Sequence, residues 1–233
     1  MTSILNLKLS KQVDTVNLEE LNQHYRYLRP EERIKEIFKD FDSSKILLTS
    51  SFGATAVYLL NLFSMSGFRP KVHFIDTTYH FEETIAYKEL IGKKLNLDII
   101  DVLPDPDFNE MTTKSEIWKH DADLCCLINK VQPLDKIKAN FDVWVSGLMS
   151  WQTMHRKKLQ IFEESQRLIK FYPILDVSEE EVKRHLKIYN LPTNPLLTQG
   201  YGSIGCKHCT KKGESREGRW TGSKKTECGL HTS

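Results

Sequence analysis

The sequence has no apolar run of the roughly 18 residues that a membrane-spanning helix needs. Met1–Asp14 has no apolar stretch of the signal-peptide kind. A reducing, cytoplasmic location without membrane attachment is therefore expected. Charge of one sign is also missing: 33 Lys and Arg face 31 Asp and Glu, a net +2. That gives no broad basic surface for nucleic acid, though Arg156-Lys157-Lys158 and Lys224-Lys225 are local clusters for a small anion. Neither the Walker nor the Rossmann glycine pattern occurs after an apolar run. Cysteine is scarce, at five residues. An odd count in a reducing compartment argues for metal-bound or catalytic thiols over a disulfide framework.

What is present reads as an α/β chain. Ile46–Ser50, Lys71–Ile75, Leu97–Leu103, Phe141–Val145 and Leu168–Pro173 are short apolar runs suited to buried parallel strands. Helical spacing lies between them: Leu18 onward behind Asn17, Pro30–Asp40, Ala56–Phe63, Tyr79–Leu95 capped by Thr78, Thr112–Lys119, and a helix behind the capping box Ser178-x-x-Glu181. In that last helix Val182, Leu186 and Tyr189 are the expected core positions. The organisation expected is a helical segment over 1–40, an α/β domain over 41–210 and a mobile tail over 211–233.

Candidate chemistry sits at strand ends. Ser50-Ser51-Phe52-Gly53 turns from the first strand into a helix, whose free N–H groups suit an anion. Asp76 and Thr77 end the second strand and Gly147 follows the fourth, where open α/β sheets bind ligands. Cys125-Cys126 is a weak signal alone, because buried cysteines also act as small apolar side chains. Cys206-x-x-Cys209 is a stronger one. Together they supply four thiolates, the number that a zinc ion or an iron–sulfur cluster takes. Lys130, four residues after Cys126, offsets thiolate charge if the segment is helical. The tail carries Arg216 and Arg219, which bind oxyanions in bidentate fashion, and an isolated thiol, Cys228, beside His231. Its composition alone also fits a disordered basic tail.

Ser50-Ser51-Phe52-Gly53, Phe74-Ile75-Asp76-Thr77, Cys125-Cys126, Ser203-Ile204-Gly205-Cys206-x-x-Cys209, Arg216-Glu217-Gly218-Arg219-Trp220 and Glu227-Cys228-Gly229-Leu230-His231 occur in this order. With them the chain resembles the assimilatory sulfonucleotide reductases, in their iron–sulfur branch. The resemblance implies a doubly wound sheet of the adenine nucleotide α-hydrolase kind. It implies a [4Fe–4S] cluster on Cys125, Cys126, Cys206 and Cys209, with Lys130 nearby. Cys228 would attack the sulfur of adenylylsulfate or phosphoadenylylsulfate, and thioredoxin or a related dithiol would release sulfite. Many relatives carry two arginines where this chain has Met149-Ser150; Arg156 and Lys157 are the candidate replacements. The cluster cysteines favour adenylylsulfate, since no cations for a 3′-phosphate can be placed. An ATP pyrophosphatase on the same fold is disfavoured, because Ser50–Thr55 lacks the second Gly and the Asp of that loop. A zinc-binding adaptor would leave Cys228 idle.

Overall fold

The computed structural model describes residues 16–165, 168–221, 225 and 227–230. Six strands form one sheet: β1 Ile46–Thr49, β2 Val72–Ile75, β3 Ile99–Val102, β4 Val143–Val145, β5 Phe162–Ser165 and β6 Leu168–Phe171. Their order is β3-β2-β1-β4-β6-β5, all parallel except β5, which runs against β6. Leaving β1 the chain winds outward through β2 and β3; it then returns to β4 and winds the other way. The crevice between the carboxyl ends of β1 and β4 is thus the switch point at which doubly wound sheets bind ligands.

Both faces of the sheet are covered. Leu48, Val72, Phe74 and Val145 join the larger core, with side chains from helices α1 Leu18–Tyr25, α2 Pro30–Asp40, α3 Ala56–Ser66 and α4 Glu82–Leu95. Leu47, Ile75 and Trp144 point the opposite way, onto Leu134 of α7 Gln132–Lys138. The period-2 alternation of a strand divides neighbouring Leu47 and Leu48 between two cores. Strands buried on both sides therefore read as continuous apolar runs.

The sequence differs from the outcome in four places. Thr78 does not cap α4: its φ is +64°, its N–H binds the Asp76 carboxylate at 2.8 Å, and the cap position is Phe81. The helix expected at Thr112 begins earlier, as α5 Pro106–Lys114, because Asp105 caps it and Pro106 supplies a preset φ at the first turn. Strand β5 is additional. In α8, Glu179–Ile188, Val182 is buried but Tyr189 is exposed. The Asn17 cap and the Ser178–Glu181 capping box form as expected.

Beyond β5 the edge is occupied. The Asn22 amide of α1 donates to the Phe162 carbonyl at 3.0 Å and accepts from the Phe162 N–H at 2.8 Å. Arg33 of α2 is buried; it donates to the carbonyls of Tyr25 and Pro173 and forks onto Asp176 at 2.5 and 2.7 Å.

Candidate active site

A cavity of about 760 Å³ opens at the switch point. Its floor is the turn after β1, where Ser50, Ser51, Gly53, Ala54 and Thr55 line it ahead of the N-terminus of α3, which no side chain among the described residues caps. Phe52 does not line it. That residue adopts φ +48°, which drops its ring into the core against Phe74. Asn194 holds the Phe52 carbonyl at 3.1 Å, and the Phe52 N–H binds Ser50 Oγ at 3.2 Å. The ring anchors the turn while its neighbours face the cavity. From β4 come Ser146 and Gly147.

The C-terminal residues form the opposite wall. Arg216, Arg219, Trp220, Cys228 and Leu230 all line the cavity. Trp220 is buried, with the Arg219 guanidinium 4.3 Å and that of Arg216 5.6 Å from its ring centroid. Burial, then the nearby Arg156 charge, lowers Arg216 to about 10. Close approach requires glycine in this wall. A side chain on Gly202 would meet the Glu214 carbonyl oxygen at 2.0 Å, and one on Gly205 would meet the Arg219 guanidinium at 2.3 Å. These contacts fasten residues 213–219 onto the loop that carries Cys206.

Cys228 is half-buried. A hydrogen bond from the Cys126 thiol holds its own thiol well below the ordinary range; the Lys130 charge, the Leu230 N–H and Arg219 add to this and outweigh burial. That same contact, with burial, raises Cys126. Lys130 lines the cavity and is buried, which alone would lower it; the facing thiols of Cys206, Cys228 and Cys126 raise it instead and keep it cationic. Such an anionic sulfur beside fixed cations is a reactive nucleophile.

A second, much smaller cavity lies behind Lys130. Cys125, Cys126, Cys206 and Cys209 all line it, with Thr77, Tyr79 and Asn129. Thr77 Oγ1 is 3.3 Å from Cys206 Sγ, and Asn129 Nδ2 is 3.8 Å from Cys125 Sγ. The His208 ring stacks on Trp118 at 3.9 Å beside this cavity. Cys125 and Cys126 end helix α6, Ala122–Cys126, which Asp121 caps. A π turn, 127–131, follows and separates them from Pro133. Burial pushes Cys125 up to about 11. Among the described residues, no three Cys, His, Asp or Glu are grouped to hold a single metal ion.

Residues 45–212 match the phosphoadenosine phosphosulfate reductase domain family. An adenosine 5′-phosphosulfate reductase from Bacillus cytotoxicus is 39% identical, covering 81% of this chain and 85% of its own length. Adenosine 5′-phosphosulfate reductase 2 from Bacillus subtilis is 35% identical, covering 97% of this chain and 95% of its own. The chain belongs to the sulfonucleotide reductase family. The fold agrees: a phosphoadenylyl-sulfate reductase structure from Candida auris superposes with a TM-score of 0.74, at 23% identity over 87% of this chain and all of that one. FMN adenylyltransferase from Candida glabrata shares the fold more loosely, with a TM-score of 0.58 at 14% identity.

In this sulfonucleotide reductase, the structure brings Ser50, Ser51, Gly53, Gly147, Arg216, Arg219, Cys228 and Lys130 to one cavity. Thr77 lies instead with the four cysteines. Asp76 lines neither cavity; its carboxylate turns back to the Thr78 N–H. His231 lies outside the described residues. Arg156 does line the cavity, but it is buried and forks onto Glu227, donating at 3.0 and 2.8 Å, so its charge is already matched. That pairing contrasts with the free phosphate ligand expected of Arg156.

Three residues missed in the sequence also reach the cavity. Ser146 Oγ and Trp220 Nε1 are buried and have no hydrogen-bond partner among the described residues. Buried polar atoms without partners are costly, and both line a ligand-sized space. His80 gives its Nε2–H to the Ile75 carbonyl at 3.1 Å, which leaves a bare Nδ1 acceptor. Burial and the Lys130 charge lower it to about 4 and keep the ring neutral. No signal in the sequence distinguished Ser146 and His80 from core, while Trp220 stood in the Arg216–Trp220 motif without a role of its own. The arrangement brings a thiol of lowered pKa, two arginines and a cleft of about 760 Å³ into one enclosure.

Proposed function

We propose that the chain reduces adenylylsulfate to sulfite and AMP in the cytoplasm, with thioredoxin or a related dithiol as reductant. The supporting observation is the convergence of Cys228, Arg216, Arg219 and Lys130 on the cavity at the sheet's switch point. The nucleotide's adenosine would occupy the β1 and β4 side, with its phosphate near the amides that begin α3. The Cys228 thiolate attacks the sulfate sulfur. An S–S bond forms, the S–O bond to the phosphate breaks, and the electron pair leaves on the nucleotide phosphate as AMP. Arg216 and Arg219 bind the sulfonyl oxygens and stabilise charge as it moves. Cys228 then carries a sulfonate. A thiolate of the dithiol attacks Cys228 Sγ and displaces sulfite with its electron pair. The second thiol resolves the mixed disulfide, so the dithiol is oxidised and the sulfur reduced by two electrons.

The same reading places a [4Fe–4S] cluster on Cys125, Cys126, Cys206 and Cys209. The donor set fits: four thiols around one enclosed space, hydroxyl and amide donors at two of the sulfurs, and the Lys130 cation at its edge. On ligation Cys126 would give up the S–H it offers Cys228. When bound, the cluster supplies iron–sulfide charge beside Lys130 and cross-links α6 to the 206–209 loop. The dithiol needs access to a half-buried sulfur, so the strip that carries Cys228 would open after the first step.

The test is sulfite formation from adenylylsulfate and from phosphoadenylylsulfate, side by side with thioredoxin, with mass spectrometry of the C-terminal peptide. Adenylylsulfate should give sulfite and a sulfonate on Cys228, and Cys228→Ser should give neither. Turnover by that variant, or a peptide never sulfonated by either nucleotide, overturns the proposal. Faster turnover of phosphoadenylylsulfate would reassign the substrate.

A further inference from the structure

Glu227 precedes the nucleophile and is more deeply buried than Cys228 itself. Its carboxylate accepts four hydrogen bonds. Thr153 Oγ1 donates at 2.7 Å, Arg156 Nε at 3.0 Å, Arg156 Nη2 at 2.8 Å and Arg216 Nη2 at 3.3 Å. Arg156 is itself fixed, since it also donates to Gln152, whose amide reaches Thr55 Oγ1 at 3.3 Å. Thr55 stands at the start of α3 in the cavity floor. The Glu227 carboxylate therefore ties the Cys228 strip to the wall beyond β4, and through Gln152 to the floor. A second tether, Lys225 to Asp123, ties the strip to α6, which carries Cys125 and Cys126.

A buried carboxylate that meets two arginines is held far more firmly than a surface ion pair, because leaving either side unpaired in low dielectric is costly. These bonds form only with the strip closed. In that arrangement Cys228 contacts Cys126, faces the cavity and is only partly exposed, whereas attack by a protein dithiol needs its sulfur accessible from outside. The two half-reactions thus make opposite demands on the same contact.

We propose that Glu227 is a positioning residue that latches the Cys228 strip shut, speeding sulfonation of Cys228 and restraining the later release of sulfite. This rests on the two-step reading above. The latch touches no reacting atom. Closing aligns Cys228; opening requires Glu227 to leave Arg156 and Thr153, and a weaker latch shifts the population toward the open form. Arg216 contacts Glu227 at the longest of the four distances and also lines the cavity, so it can turn to a substrate oxyanion while Arg156 keeps the carboxylate.

The test uses the full-length protein purified anaerobically, with Glu227→Gln, Thr153→Val and Arg156→Lys. Glutamine keeps the shape and loses the charge; lysine keeps a charge and loses the fork. Thr153→Val removes two hydrogen bonds, the one to Glu227 and the one from the Arg156 N–H, at a residue outside the cavity lining, and guards against a Glu227→Gln that does not fold. Single-turnover sulfonation of Cys228 should slow by about tenfold or more in Glu227→Gln and Arg156→Lys, and by a few-fold in Thr153→Val. Release of sulfite by dithiol from enzyme sulfonated beforehand, by long incubation with nucleotide, should be unchanged or faster. AMP affinity of Thr153→Val, which lies outside the cavity lining, should stay within about threefold, and hydrogen exchange of the Cys228 strip should quicken. Slowing of both half-reactions together, sulfonation within about twofold of wild type, or unchanged exchange overturns the latch. Wild-type protein that never becomes sulfonated overturns the function instead, so the two failures are distinct.

Discussion

Gly205→Ala tests whether Arg219 must stand where the structure holds it. A Cβ at Gly205 would lie 2.3, 2.4 and 2.6 Å from three guanidinium atoms of Arg219. To restore ordinary contact, the group must retreat by about 1 Å. It has little room: Trp220 lies 4.3 Å from the guanidinium carbon, and Arg219 Nε donates to the Cys209 carbonyl at 3.3 Å. Gly205 is not among the glycines with positive φ, so alanine brings no backbone strain and the effect is steric. A displacement of about 1 Å in a group that orients the reacting centre costs on the order of 10²-fold in rate. The assay is kcat/KM for sulfite release, with single-turnover sulfonation of Cys228 and a thermal melt as the folding control. If the 205–209 loop yields instead of Arg219, visible absorption of the purified protein changes as well. A folded Gly205→Ala enzyme whose kcat/KM stays within about threefold of wild type refutes the reasoning.

Other perturbations have equally definite outcomes. Arg33→Met removes a buried fork and leaves Asp176 and two carbonyls without it; Asp176 stays half-exposed, so the loss is about 2–4 kcal/mol and the Tm falls by about 5–15 °C. A fall below about 2 °C counts against it. Burial raises Asp176, but the Arg33 bond and charge outweigh this and hold its carboxyl below the ordinary range. Its contribution is therefore full above the unfolded carboxylate pKa of about 3.9 and fades as pH drops through the folded value. Stability curves of wild type and Arg33→Met should converge below that point, and a constant gap down to strong acid would contradict it. Trp220→Phe keeps a ring beneath the arginines but loses the unpartnered indole N–H; KM should rise by about tenfold, and an unchanged KM shows that this N–H meets no substrate. Cys206→Ser should bleach the purified protein and lower its iron content, and an unaltered spectrum excludes ligation there.

Local signals in the chain were readable. The Asn17 cap, the Ser178–Glu181 box and the apolar run before Ser50 each depend on a few consecutive residues; of the strand ends, those of β1 and β4 line the cavity, while Asp76 and Thr77 after β2 do not. Features made by distant residues were not. Strand β5 exists because Phe162–Ser165 meets Leu168–Phe171, with Glu163 opposite Lys170; alone it reads as a mixed polar stretch. At Asp105-Pro106 the residues that end the third apolar run also start a helix, and Asp105 caps it from outside the Thr112–Lys119 stretch whose spacing looks helical. Glu227 stood within the tail motif without a role, since its partner Arg156 lies 71 residues away. Ser146, His80 and Trp220 show their function only through unpaired polar atoms facing one space.

The pair of bonds between Asn22 and Phe162 has a consequence for how the protein keeps to itself. A carboxamide presents the same donor and acceptor as a peptide group, so this one side chain imitates a neighbouring backbone at the end of the sheet. The rim where another molecule could add a strand is thereby sealed. A version trimmed past α1, or carrying Asn22→Leu, should associate as concentration rises, with β5 as the seam.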